Sequence, residues 1–164
     1  MALVRENSSV PAQLRTYGDV ATRAMHRDTM LNGGTTVDLN SFKVPAKTDG
    51  YFVGGAPNFK GDKLEAVIIT EAEFTLSALR RAFGFLYAEH LTAQQISDST
   101  PIENGFIGTW MHEGLVFVDA SNWTADYTEA VQWAIERGEH SIYDVQANGS
   151  LELASITREL QSVA

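Results

Sequence analysis

The chain has no cysteine, which removes disulfide scaffolds, thiolate zinc sites and cysteine nucleophiles together and is compatible with a reducing compartment. No run approaches the roughly 18 apolar residues of a membrane span. The opening residues, "MALVRENSSVPAQLRTYG", lack the continuous apolar core of a signal peptide, so the expectation is a soluble protein that is neither exported nor membrane-bound. The glycosylation-type triplets at Asn7, Asn122 and Asn148 then count as chance matches.

Basic residues are scarce. Twelve Lys and Arg face 21 Asp and Glu, for a formal net charge of −9. Residues 1–49 hold six of the basic and five of the acidic side chains, which leaves that segment at +1 and the remainder at −10. An acidic body repels phosphate backbones, so direct nucleic-acid binding is not expected. Strong catalytic motifs are missing as well: "GGAPNFKGDK" lacks the spacing of a phosphate-binding P-loop, and there is no dinucleotide fingerprint, His-Glu-x-x-His pair or Gly-x-Ser-x-Gly elbow. His26, His90, His112 and His140 are scattered without ligand spacing, so neither a metal nor a cofactor is expected.

What is present fits one domain, able to bury roughly 68–70% of the surface its unfolded chain exposes. Residues 1–49 read as an N-terminal arm. Pro11 opens a short helix capped by Ser9, with Leu14, Tyr17, Ala21, Ala24 and Met25 on one stripe weakened by Gly18, and "LNGGTTVDLNSFKVPAKTDG" suits an extended segment better than a core strand. Residues 50–154 carry sharper signals. "GYFVGG" and "LEAVII" read as strands of a hairpin with a long turn. A helix follows, with Leu76, Leu79, Phe83, Leu86 and His90 in phase and either Thr70 or Thr75 as its cap. "FIGTWMHEGLVFVD" is a hairpin turning at His112, Glu113 and Gly114.

Asp126 caps the next helix with Glu129 as partner; Tyr127, Ala130, Val131, Ala134 and Ile135 form its buried face, and Gly138 stops it. Asn148-Gly149 marks a last hairpin with a type I′ turn. "ITREL" suits a final helical turn at the start of a C-terminal tail, residues 155–164. The expected fold is α+β: a mostly antiparallel sheet in the order ββ-α-ββ-α-ββ with two helices on one face, plus the arm.

Asp119, Ser121, Asp126 and Asp144 are the polar groups nearest strand ends. Two converging carboxylates are what acid–base hydrolysis requires, and Asp119 and Asp144 could converge if their strands pair, with His140 at the start of the last of them. The bland reading is turn and capping chemistry. Trp133 falls off the apolar stripe of its helix and Trp123 precedes that helix, so both suggest a cover, whether the arm or another chain. The interaction residues expected are therefore Trp123, Trp133, Leu14, Tyr17 and Met25.

The strings "GYFVGG", "EFTLSALRRAFGFLYAEH" and "GFIGTWMHEGLVFVDASNWTADYTEAVQWAIERGEHSIYDV" resemble small uncharacterised proteins of actinobacterial phages and prophages. Gly50, Tyr51, Thr75, Gly108, Trp110, Asp119, Ser121, Ile142 and Asp144 carry the resemblance, over about residues 50–154; Ser141 stands where the pattern has alanine. The resemblance implies an origin and a setting, host cytoplasm or virion, and assigns no activity.

Three functional readings follow. The first is a non-enzymatic accessory or assembly protein of a phage or mobile element, meeting a protein partner or a second copy through the arm. The second is a small hydrolase or ligand-binding enzyme using Asp119, Asp144 and His140 in a common cleft. The third is an acidic inhibitor of a DNA-binding host protein, for which the sequence offers no dense acidic run.

Overall fold

The computed structural model describes residues 12–90, 102–156 and 158, with the side chains of 12–16 and 90 outside that description. The Ser9 and Pro11 helix start, the Leu14 and His90 side chains and most of the tail therefore lie outside the described residues. The elements are α1 (Ala12–Asn32), β1 (Gly34–Asp38), β2 (Tyr51–Gly54), β3 (Val67–Thr70), a 3-10 turn (Glu71–Glu73), α2 (Leu76–His90), β4 (Phe106–His112), β5 (Leu115–Thr124), α3 (Tyr127–Arg137), β6 (Ser141–Asp144) and β7 (Gly149–Glu152). The fold is α+β, and its seven strands form one antiparallel sheet in the order β1-β4-β5-β2-β6-β7, with β3 also on β5.

Alternation along the strands sorts the sheet into two unlike faces. Val37 lies opposite Ile107 and Ile107 opposite Ala120; Val116 and Val118 are in phase with them, and all five are buried. α1 and α2 pack there through Ala21, Met25, Leu79, Phe83 and Leu86. α3 covers the other end of the same face, with Ala130, Val131 and Ala134 against Val53 and Ile142. All three helices thus share one face.

Several local signals act as read. Asp126 accepts from the amides of Thr128 at 2.8 Å and Glu129 at 3.3 Å, and Gly138 ends α3 at φ 67°. Between the two candidate caps of α2 the structure selects Thr75, whose Oγ1 accepts from Ala78 at 3.1 Å. Glu113 and Gly114 turn the β4–β5 hairpin at φ 50° and 78°.

Other expectations give way to longer-range packing. The expected arm is, from residue 12 on, structural: α1 is 21 residues long, β1 pairs with all of the first half of β4, and Met25 is 1% exposed. Buried Thr29 and Thr109 meet hydroxyl to hydroxyl between α1 and β4, and Asp19 pairs with Arg80 of α2 at 3.5 Å. Phe42, at φ 58°, turns the chain back so that its ring lies 5.6 Å from Tyr87 and 6.5 Å from Phe83.

β2 and β3 do not form a hairpin with each other; each pairs with β5, end to end along the same edge. The Asn148-Gly149 turn is also different: Asp144 pairs with Gly149, so four residues close the hairpin and only Asn148 is left-handed, held by the Tyr143 hydroxyl, while Asp144 Oδ1 accepts from Ala147 at 3.2 Å. On α3, Ile135 is 61% exposed and Trp133 packs on the core instead, because the helix is centred over β2, with β5 and β6 on either side. Residues 153–156 turn as helix and bury Ile156.

Candidate functional site

β5 has β4 along one side, while its other side is shared by β3 at residues 115–118 and β2 at 121–124. Asp119 lies at the gap between them. The chain leaves β2 through Gly54 and Gly55, the latter at φ +66°, and the Ala56 amide then bonds the Ala120 carbonyl at 3.1 Å. Asn58 folds the following loop by accepting from Lys60 and Asp62, and the Pro57–Lys63 bridge returns Lys63 to the gap. Past the end of α3, Glu139 reaches the same place.

The glycines make this convergence possible. A Cβ on Gly54 would stand 1.9 Å from Asp119 Oδ2 and 2.6 Å from Glu139 Oε1, so both carboxylates occupy the space a side chain would need. Gly55 donates to Asp119 Oδ1 at 3.3 Å, and Lys63 Nζ lies 3.9 Å from Glu139 Oε2 and 3.8 Å from Glu65 Oε2. Arg137 closes the floor: Nη1 donates to the carbonyls of Val53 and Gly54 at 3.2 Å each, and Nη2 to Asn122 Oδ1 at 2.8 Å. Its guanidinium also stacks over Trp133, 4.9 Å from the ring centroid.

Burial first, and after it the charge of Glu139, push the Asp119 carboxyl from 3.8 up to about 7, against the smaller downward pulls of the Gly55 amide, Lys63 and the Ala120 amide. Near neutral pH this carboxyl is therefore partly protonated. Such a group can donate a proton. Its surroundings crowd that use, because a Cβ on Gly54 would stand 1.9 Å from Oδ2, so the end of β2 packs directly against the carboxyl.

The expected trio does not come together. Asp144 lies opposite Tyr51, which in turn pairs with Thr124, on the helix-bearing face; Asp119, an odd number of residues from Thr124, belongs to the other face. His140 is exposed, its carbonyl accepts from Leu153 at 2.8 Å, and with Glu139, Glu152 and Arg158 it lines a shallow groove of about 500 Å³ that does not include Asp119 among its lining residues. Glu139, Lys63 and Arg137 were missed. The doubled glycine ending β2 was the available signal, since it marks a close approach by something.

Among the expected interaction residues, Met25 is core and Trp133 is largely packed. Trp123 is covered by the segment before β2: its Nε1 donates to the Asp49 carbonyl at 3.0 Å and Lys47 Nζ sits 3.9 Å above the ring. Tyr17 is 58% exposed on α1. The tryptophan left open is Trp110, 42% exposed on the helix-free face of the sheet and stacked on Phe117 at 4.5 Å and 17°, with the His112 ring 5.6 Å away. Ile68, opposite Phe117 on the next strand, is also exposed on that face.

Among the described residues no cluster of three or more His, Asp or Glu is placed to hold a metal, and no helix is long and apolar enough to cross a membrane. No protein-family model, curated protein or solved structure matches the chain.

Proposed function

We propose that the chain is a non-enzymatic accessory or assembly protein of a bacteriophage or mobile element, acting in the host cytoplasm or the virion, and that it binds a protein partner through the helix-free face of its sheet. The observation that carries this reading is the stack of exposed Trp110 on half-buried Phe117, where no helix among the described residues covers the sheet. A Trp side chain buries on the order of 150–250 Å² when covered, and Trp is enriched among the residues that dominate protein interfaces. The phage setting rests on the resemblance over residues 50–154, whose ββ-α-ββ-α-ββ unit we read as the stretch from β2 to β7, with α1 and β1 added in front. This reading moves the docking surface from the arm to the sheet.

The test is light scattering after size-exclusion chromatography of the tagged full chain recovered from actinobacterial cells carrying the element. The expected result is a complex of defined mass that reverts to the free chain in Trp110→Ser. A free chain in every sample, or a complex indifferent to Trp110, contradicts the reading.

A second reading, a small acid–base enzyme, draws on the Asp119–Glu139 pair and the raised pKa of Asp119. Under that reading Asp119→Asn abolishes whatever turnover the wild type shows, and unchanged turnover removes the pair from consideration.

A further inference from the structure

We propose that the free edge of β3, with the groove between β3 and α2, binds an extended peptide of a partner protein, which adds to the sheet as a strand. This site adjoins the Trp110 face at Ile68, but its groove opens on the α2 side of the sheet, so it stands whether or not that face has a partner. Among the described residues β3 pairs with β5 alone. The Glu71 amide bonds the Gly114 carbonyl at 2.9 Å, so alternation turns the amides of Ile69 and Val67 toward β5 and leaves the amide and carbonyl of Ile68 at the open edge. Exposed edges are ordinarily blunted by charge, proline or a bulge. The sequence of β3, Val-Ile-Ile-Thr, has neither charge nor proline.

Beside this edge lies a groove of about 640 Å³, lined by Val67 and Ile69 of β3, by Ala78, Arg81, Ala82 and Phe85 of α2, and by Glu73 from the turn between them. A strand added to β3 points alternate side chains into it. The small Ala78 and Ala82 leave depth for an aliphatic side chain, and Phe85, 57% exposed, gives it a wall.

Charge specifies the occupant further. Arg80 is paired with Asp19, whereas among the described residues Arg81 donates only to Ser77 Oγ at 3.0 Å and has no carboxylate partner. Glu73 lines the same groove, so the unpaired guanidinium calls for an acidic side chain of the peptide beside Arg81 rather than beside Glu73. A four-residue strand spans about 13 Å. That length holds a short peptide, and a contact confined to it is smaller than the roughly 1,200–2,000 Å² buried where two folded subunits join, which favours a peptide over a second copy.

The experiment pans a random linear decapeptide display library on the full chain, measures the selected peptides by fluorescence anisotropy and maps them by amide chemical shifts. Expected are peptides with alternating apolar residues and an Asp or Glu, and shifts confined to residues 67–70 and 76–85. Ile68→Pro removes the outward amide while sparing the ladder to β5, and should weaken binding by about tenfold. Arg81→Glu should weaken it by a similar factor, with recovery when the acidic residue of the peptide is changed to Lys; this charge swap decides the matter if the proline variant does not fold. Trp110→Ser should bind the same peptides unchanged, which separates this site from the sheet face. The proposal is overturned by no enrichment, by shifts elsewhere, by indifference to Arg81→Glu, or by a dimer of the full chain that Ile68→Pro dissociates, which would assign the edge to a second copy.

Discussion

Replacing Asp119 with asparagine tests the electrostatics of the β2–β3 gap. In the folded chain this carboxyl holds its proton up to about pH 7, whereas the unfolded chain loses it near 3.8. Between those values the folded state binds more protons, so this group makes stability fall as pH rises through the window. The gap of about three pKa units, at about 1.36 kcal/mol each, amounts to roughly 4 kcal/mol, present in full above pH 7 and absent well below 4.

Asparagine keeps the shape, can still accept from Gly55 and can donate to Glu139, but carries no charge. Relative to wild type, Asp119→Asn should therefore gain about 3 kcal/mol between pH 4.5 and pH 8. Urea unfolding followed by circular dichroism at both pH values gives the difference, and comparing the two chains cancels the titrating groups that do not interact with Asp119. Glu139→Gln removes the second cause of the shift and should flatten the wild-type slope. A variant-to-wild-type difference that stays constant with pH, or narrows toward pH 8, refutes the reasoning.

The same gap should reject any added side chain. Gly54→Ala places a methyl 1.9 Å from Asp119 Oδ2 and should cost on the order of 1–3 kcal/mol, read as a lowered denaturation midpoint. Gly50→Ala combines a φ of +83° with a contact of 2.6 Å to the Trp123 ring; it should destabilise the chain and shift tryptophan emission to the red as Lys47 and Asp49 lose their hold on the indole. Met25→Ala should cost about 2–5 kcal/mol of global stability, whereas an effect below about 1 kcal/mol would return α1 to the status of an appendage.

Features set by neighbours in sequence were readable in advance. The cap at Asp126, the stop at Gly138 and the turn at Glu113-Gly114 depend on a few consecutive residues whose chemistry allows little else. Features set by distant partners were not. β1 looks like a polar arm because only Val37 of its five residues is buried, and its place in the sheet depends on β4, a pairing across the whole of α2. Trp133 and Ile135 exchange expected roles because the position of α3 over β2, which periodicity alone does not give, decides which flank of the stripe meets the sheet. The candidate site was half legible for the same reason: Asp119 stands out at a strand end, while Glu139 and Lys63 reach it from a helix terminus and a loop far away in sequence.

The central claim, that the helix-free sheet face is where a protein partner docks, is tested most directly by photocrosslinking in the host cell. A benzophenone amino acid placed at Thr36, on the same sheet face as Trp110, with the same probe at Gln146 on the exposed β6–β7 turn as control, reports what touches each position while Trp110 is kept. The expected result is one discrete adduct from position 36 that disappears when Trp110 is changed to Ser, and none from position 146. No adduct at 36, or the same adducts at both positions, would contradict the claim.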